Sequence, residues 1–389
     1  MKIRDVQAFV LDAGQNYSDR SATGEWCGPR YFCLVKVTTD EGLVGWADVE
    51  TQPQVGAAYL DHPSGGVVGF ESLRTALIGE DPLERERLWQ KMYRYQAYFG
   101  RQGAGMQMIS GVDIALWDIA GKAFQVPIAK LLGAQYRTRV KAYASTLFRP
   151  TPAEMKAAVD GYLRQGFQAI KFGWGAFGQN LQRDVALVRA AREAAGPAVA
   201  LMVDAGWYGT SAGDPYRARS LPDWRRLIPQ LEELDVFWLE DFLHPENIAG
   251  YAALAQTTRT LRLAAGEQYA GMPEFERLAD EGQVHVLQPD LSRCGGLTVG
   301  KQIADFAMRR QLECVPHAWL TDLLNAASLQ LNAYLMHSVF LEYNVSASDL
   351  LQRLCPNRPP MKDGYVMVPE GPGLGVEVDE KIVEQYRLA

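Results

Sequence analysis

At 389 residues, 48% hydrophobic and 22% charged, the chain is long enough for a large core and two domains and has an ordinary soluble composition. A formal net charge of -7, spread without any basic run, argues against nucleic acid as a partner. No apolar stretch reaches bilayer-spanning length, Met1-Lys-Ile-Arg-Asp-Val6 leads into strand-like alternation instead of a signal-peptide core, and five cysteines without a CxxC spacing read as reduced thiols. A cytoplasmic protein without membrane contact is expected.

In chain order, residues 2–11, 31–39 and 44–49 predict a small antiparallel sheet, with Asp40-Glu-Gly42 as the hairpin turn between the last two strands. The long loop at 12–29 is rich in Gly, Ser and Asn and carries Tyr17 and Trp26; loops of that length inside a domain are commonly lids. A second lid is expected near 50–66. Helical periodicity begins after Asp81-Pro82, read as N-cap and first helical residue, with Leu83, Leu88, Trp89 and Met92 as its apolar set. A further helix is predicted over 108–124. Residues 1–133 thus read as an α+β domain.

From residue 139 short β-branched runs alternate with amphipathic helices. Strands are predicted at 140–144, 169–172, 200–204, 237–240, 263–266, 286–288, 313–315 and 339–342, with helices at 152–165, 182–195, 222–233 and 298–310 among them. Right-handed βαβ units of this number fit a closed parallel barrel over 134–355. Residues 356–389 hold Pro369-Glu-Gly-Pro-Gly-Leu-Gly375 and are expected to return to the first domain.

The active site of a parallel barrel stands at the C-terminal ends of its strands. Three consecutive ends carry acids: Met202-Val-Asp204, Trp238-Leu-Glu240 and Ala265-Gly-Glu267. A single acid there is ordinarily the next helix's N-cap. Three in succession would converge, and three like charges in a low-dielectric mouth need a cation. An all-oxygen set without Cys or His suits Mg²⁺. Strand six leads into Gln288-Pro-Asp290, strand seven into His317 and strand eight into Glu342. Asp290 beside His317 can hold one imidazole tautomer and raise its basicity, so that the ring takes and returns a proton. His62, His244, His285 and His337 offer less: His244 is crowded by Pro245, and His337 lies in a helical apolar pattern. On strand two, Lys171 and Gly173 share the inward face, so Lys171 can address the metal and a substrate carboxylate. Tyr17, Trp26, Trp174, Trp207 and Tyr208 are as often packing residues as pocket walls and are not assigned to the site.

These pieces resemble the enolase superfamily, in its mandelate racemase-like branch. The resemblance rests on Val203-Asp-Ala205, Trp238-Leu-Glu-Asp-Phe242, Ala265-Gly-Glu-Gln268, Gln288-Pro-Asp290, Pro316-His317 and Glu342. The helix Gly111-Val-Asp-Ile-Ala-Leu-Trp-Asp-Ile-Ala-Gly-Lys122 and the tail Gly371-Pro-Gly-Leu-Gly375 extend it over nearly the whole chain. It implies a modified TIM barrel, (β/α)₇β, under an α+β capping domain, and removal of a proton α to a carboxylate to give an enediolate. By position, Asp204, Glu240 and Glu267 would hold Mg²⁺, His317 with Asp290 would be the acid/base pair, and Glu342 would hydrogen-bond the enediolate oxygen.

The chain departs from that family at strand two, where the second lysine of a Lys-x-Lys pair is replaced by Gly173. Two-base racemisation then lacks one base, whereas a one-base reaction does not. If His317 removes the α-proton and, as imidazolium, protonates a β-hydroxyl leaving on the same face, the outcome is syn-elimination of water to a 2-keto-3-deoxy acid. The resemblance therefore implies a Mg²⁺-dependent sugar-acid dehydratase with a small-molecule acid-sugar substrate, built as a homo-oligomer. A racemase or epimerase with another second base is the enzymatic alternative, and a catalytically silent ligand-binding barrel the non-enzymatic one.

Overall fold

The computed structural model describes residues 1–14, 31–63, 65–178, 180–206, 219–337, 340–345 and 348–388. The capping domain opens with β1 (Ile3–Asp12), β2 (Tyr31–Thr39) and β3 (Val44–Val49), an antiparallel sheet in that order, followed by α1 (Pro53–Leu60), α2 (Leu73–Leu77), α3 (Arg85–Tyr95), α4 (Ala104–Phe124) and α5 (Ile128–Leu132). Tyr17 and Trp26 lie outside the described residues. The stretch expected as a second lid instead contains α1, which starts with proline at its first turn. Asp81-Pro82 is a turn in which Asp81 Oδ1 accepts the Leu83 N–H at 3.0 Å. The helix begins at Arg85 and buries Leu88, Trp89 and Met92.

α4 is buried along most of its length, including Ser110, Asp113 and Asp118. A helix enclosed on all sides is apolar nearly all round; α4 lies between the capping sheet and the barrel, and its polar side chains bond to other elements. Asp113 Oδ2 and Oδ1 accept the Thr298 N–H and hydroxyl at 2.9 and 2.6 Å. Asp118 Oδ1 accepts Leu374 N–H at 2.9 Å.

The barrel runs β4 (Arg139–Leu147), α6 (Pro152–Arg164), β5 (Ala169–Gly173), α7 (Leu181–Ala195), β6 (Ala200–Asp204), α8 (Leu221–Glu233), β7 (Val236–Glu240), α9 (Ile248–Ala255) and β8 (Arg262–Ala265). It continues with α10 (Met272–Asp280), β9 (Val286–Leu287), α11 (Gly296–Arg310), β10 (Glu313–Cys314), α12 (Asp322–Tyr334) and β11 (Leu341–Asn344). Parallel pairing runs from β11 through β4 in sequence order to β10. A separate interior cluster takes one side chain from each strand or its flank: Tyr143, Ala169, Met202, Trp238, Ala264, Val286, Val315 and Phe340. Alanines next to Trp238 and Tyr143 are what lets large rings share a narrow bore.

β11 is shifted two residues beyond expectation, with Glu342 inside the strand, and His337 is exposed beyond the end of α12. After α13 (Asp349–Leu354), β12 (Met361–Lys362) and β13 (Tyr365–Met367) pair with each other, and β13 adds antiparallel to the start of β4. The tail then reaches the capping domain. Gly373, at φ 71°, lies so close to α4 that a Cβ would meet Asp118 Oδ1 at 2.1 Å. α14 (Glu380–Tyr386) ends beside β1, where Leu388 N–H bonds Val10 O at 2.8 Å. Among the described residues no helix is long and apolar enough to cross a membrane.

Candidate active site

Each barrel strand brings its final residues to one mouth. Asp204 and Glu240 end β6 and β7 as register partners, and Glu267 follows β8 through the Gly266 turn. One carboxylate oxygen from each lies within 4.8 Å of the others, and all three residues are buried. Burial, reinforced by Glu240 and Glu267, holds Asp204 well above the usual carboxylate range. Burial also pushes Glu240 up, with Lys171 opposing and Glu342 and Glu267 adding to the rise. Such a cluster is electrostatically incomplete without a cation, and its oxygen-only donors fit a hard divalent ion.

Glu240 is oriented by two donors on Oε2, Trp238 Nε1 at 2.9 Å and Gln288 Nε2 at 2.8 Å. Its Oε1 accepts from Lys171 Nζ at 2.5 Å. Lys171 also pairs with Glu342 at 2.9 Å and stands 3.8 Å from Asp204. Burial opposes the charge on Lys171, but Glu240 and Glu342 outweigh it and hold the ammonium well above its ordinary range. Gly173 pairs with Asp204 in the β5–β6 register, and a Cβ there would meet Asp204 Oδ2 at 2.9 Å. The space next to Gly173 is thus taken by one of the three acids.

On the other side, His317 Nδ1 meets Asp290 Oδ2 at 2.6 Å. Asp290 Oδ1 is occupied by the Ser292 N–H and hydroxyl at 2.7 and 2.6 Å, which leaves Oδ2 for the imidazole. His317 Nε2 stands 3.1 Å from Glu267 and 4.0 Å from Glu342. Burial pulls the ring's pKa down, yet Glu267, Glu342 and Asp290 together hold it well above its ordinary range. Burial works upward on Asp290, but the hydrogen bond and charge of His317 and the charge of Arg293 keep it lowered. Glu342 accepts from the Ser145 hydroxyl at 2.6 Å and Ala318 N–H at 2.7 Å. Burial raises its pKa less than Lys171 and His317 lower it, and the result is about 2. In this state Glu342 accepts from Ser145, Ala318 and Lys171.

All seven residues singled out from the sequence therefore meet around one mouth. A cavity of about 630 Å³ opens over Lys171, Asp204, Glu267, His317 and Glu342 and is walled by Trp174, Trp319 and Gln107 of α4. Trp207 and Tyr208 lie outside the described residues. Sequence reasoning missed Ser145, the orienting role of Gln288, and Asp241, a further buried acid at φ 42° whose Oδ2 has no hydrogen-bond partner. It also missed Glu50 and Arg293, an ion pair joining β3's end to the loop after β9. The run Gln288-Pro-Asp-Leu-Ser-Arg293 held the signal for Arg293; nothing local marked Glu50.

Two family models cover most of the chain: "Mandelate racemase / muconate lactonizing enzyme, N-terminal domain" matches residues 26–133, and "Enolase C-terminal domain-like" matches residues 154–382. D-galactarolactone cycloisomerase of Agrobacterium fabrum is 30% identical, over 100% of this chain and 99% of that protein. D-galactonate dehydratase of Klebsiella pneumoniae is 33% identical, over 94% and 93%. The crystal structure of 3,6-anhydro-D-galactonate cycloisomerase from Zobellia galactanivorans superposes with a TM-score of 0.86 at 29% identity, covering 100% of both chains.

Proposed function

The chain belongs to the enolase superfamily, in its mandelate racemase-like branch, and on that premise we propose that it is a Mg²⁺-dependent sugar-acid dehydratase, a hydro-lyase. The observation that carries this reading is the one-sided proton machinery: His317 paired with Asp290 on one face, and Gly173 with a fixed Lys171 on the other. Asp204, Glu240 and Glu267 are proposed to hold Mg²⁺, which when bound would neutralise the three acids and the charge that develops on the substrate carboxylate.

The substrate is an aldonate or aldarate whose carboxylate faces Lys171. With the Glu267 charge neutralised by a bound ion, the largest influence favouring the imidazolium would be removed; His317, then the neutral imidazole with Nδ1–H donated to Asp290, takes the α-proton at Nε2. The C–H electron pair moves into the carboxylate to form the enediolate. Lys171 donates to the oxygen on which charge grows. An arriving substrate carboxylate places a like charge beside Glu342 and raises its proton affinity; in its protonated form Glu342 can donate to the other oxygen. The imidazolium then returns its proton to the β-hydroxyl as the C–O bond breaks, water leaves, and the enol tautomerises to a 2-keto-3-deoxy acid. Trp174 and Trp319 limit water at the mouth.

A panel of sugar acids assayed with Mg²⁺ for keto-acid product, run in deuterium oxide, tests the proposal. Keto acid with deuterium at the product's C3 is expected, whereas α-exchange with inversion and no keto acid would establish a racemase. The names of the Agrobacterium and Zobellia proteins favour a second reading, a cycloisomerase, in which the same histidine expels a ring oxygen instead of a hydroxyl. Turnover of lactones or anhydro sugar acids but not of open-chain acids would select it. Four buried thiols among the described residues fit a reducing, cytoplasmic location. A homo-oligomer is also proposed and is tested by sedimentation.

A further inference from the structure

The loop that carries Asp290 belongs to the barrel by chain order, yet much of its bonding is to the capping domain. Gly295 donates its N–H to Ser110 Oγ at 2.8 Å and accepts Trp89 Nε1 at 2.8 Å. Three residues on, Thr298 is bonded to Asp113. At the catalytic end of the same loop the partner is Glu50, directly after β3. Its N–H donates to Ser292 Oγ at 3.2 Å, and Ser292 Oγ donates in turn to Asp290 Oδ1. Glu50 Oε1 accepts from Arg293 Nη2, and Arg293 Nη1 also reaches the Glu267 carbonyl at 3.3 Å.

A Glu50 oxygen lies within 4.8 Å of both an Asp290 oxygen and a His317 nitrogen. Glu50 Oε2 is buried and meets no N–H or O–H donor. Two facing carboxyl groups attract only when one of them carries a proton. Burial raises Glu50 to about 7 despite Arg293, and the facing Asp290 charge adds to the rise, whereas His317 and Arg293 keep Asp290 lowered against its own burial. A proton placed between them would therefore rest on Glu50 and leave Asp290 the acceptor that His317 requires.

We propose that Glu50 is a positioning residue for proton transfer: reaching from the capping domain and fixed by Arg293, its carboxyl group hydrogen-bonds Asp290 and holds it against His317. The acid/base pair is then an inter-domain construction, complete only with the capping domain seated. This rests on the His317–Asp290 reading above.

The test uses the full chain with Mg²⁺ and a sugar acid that the wild type turns over. Glu50→Gln keeps an N–H donor toward Asp290, whereas Glu50→Ala removes it; Glu50→Met, which keeps bulk without a donor, replaces Ala if that variant does not fold. Loss of positioning lowers kcat for both α-exchange and elimination by about 30- to 100-fold in Glu50→Ala, with KM within about threefold of wild type. Glu50→Gln stays within about fivefold of wild type. Three results overturn the proposal: Glu50→Ala with unchanged kcat, a change in KM alone, or Glu50→Gln as impaired as Glu50→Ala. A wild type inert on every sugar acid, or a His317→Asn protein that keeps exchange, removes the underlying reading instead. An active wild type, an inert His317→Asn and an unaffected Glu50→Ala remove only the positioning role.

Discussion

The two halves of the mouth are held in different ways. Asp204, Glu240 and Glu267 stand at barrel strand ends: Glu240 takes its orientation from Trp238, Gln288 and Lys171, Asp204 accepts the Gly206 N–H, and Glu267 meets His317. His317 and Asp290 also stand on the barrel, but the loop behind Asp290 is tied to β3, α3 and α4 of the capping domain through Glu50, Trp89, Ser110 and Asp113. The difference teaches that ion binding and proton transfer can be perturbed separately. Barrel residues alone orient Glu240, whereas the proton carrier depends on how two domains meet.

The largest expected effect lies on the proton side. His317→Asn should lower both α-proton exchange and keto-acid formation by about 10³-fold or more, within the range for removal of a general acid/base, while Mg²⁺ affinity measured by calorimetry stays near wild type. Turnover within tenfold of wild type would sink the assignment. Next comes Lys171→Met. Elimination should fall about 10²-fold because a preorganised cation at the oxyanion is lost, but the acid cluster becomes more negative, so Mg²⁺ should bind no more weakly than before. Weaker binding would mean that Lys171 orders the acids more than it repels the ion.

Glu240→Gln reverses that pattern. Removing one charged ligand should weaken Mg²⁺ about tenfold or more, read by calorimetry, and unchanged affinity would exclude Glu240 as a ligand. The smallest effect is expected for Asp113→Asn at the domain seam. Replacing the acceptor of the Thr298 N–H and hydroxyl should cost about 1–3 kcal/mol of stability in a denaturant titration, with a modest drop in kcat and no change in Mg²⁺ affinity. A change in metal affinity there would erase the division between the two halves.

Much of this was legible from the chain because strand ends obey local rules. An apolar run followed by a polar residue located Asp204, Glu240, Glu267 and His317 without any knowledge of partners, and period-two alternation put Lys171 inward. Boundaries were less secure: Asp81-Pro82 has the composition of a helix start but forms a turn, since Asp81 satisfies Leu83 N–H before the helix begins. β11 lies beyond its expected bounds, because the apolar residues before it, such as Phe340, fill the bore ahead of the paired segment. Ser145, Glu50 and Asp241 carry no local signature. The importance of Ser145 and Glu50 comes from partners 197 and 243 positions away, Glu342 and Arg293.

By itself, then, the sequence determined which elements form and which side chains stand at their ends, because periodicity and chain breaks act over a few residues. The tertiary structure alone decided their electrostatic states. Lys171 is shifted up, Glu342 down to about 2 and Glu50 up to about 7 because burial and neighbours from distant strands act on those groups. It likewise decided that the space beside Gly173 belongs to Asp204, and that the capping domain completes the frame around Asp290. Closure of the barrel and docking of the cap are non-local events, and only they bring such groups within hydrogen-bond reach.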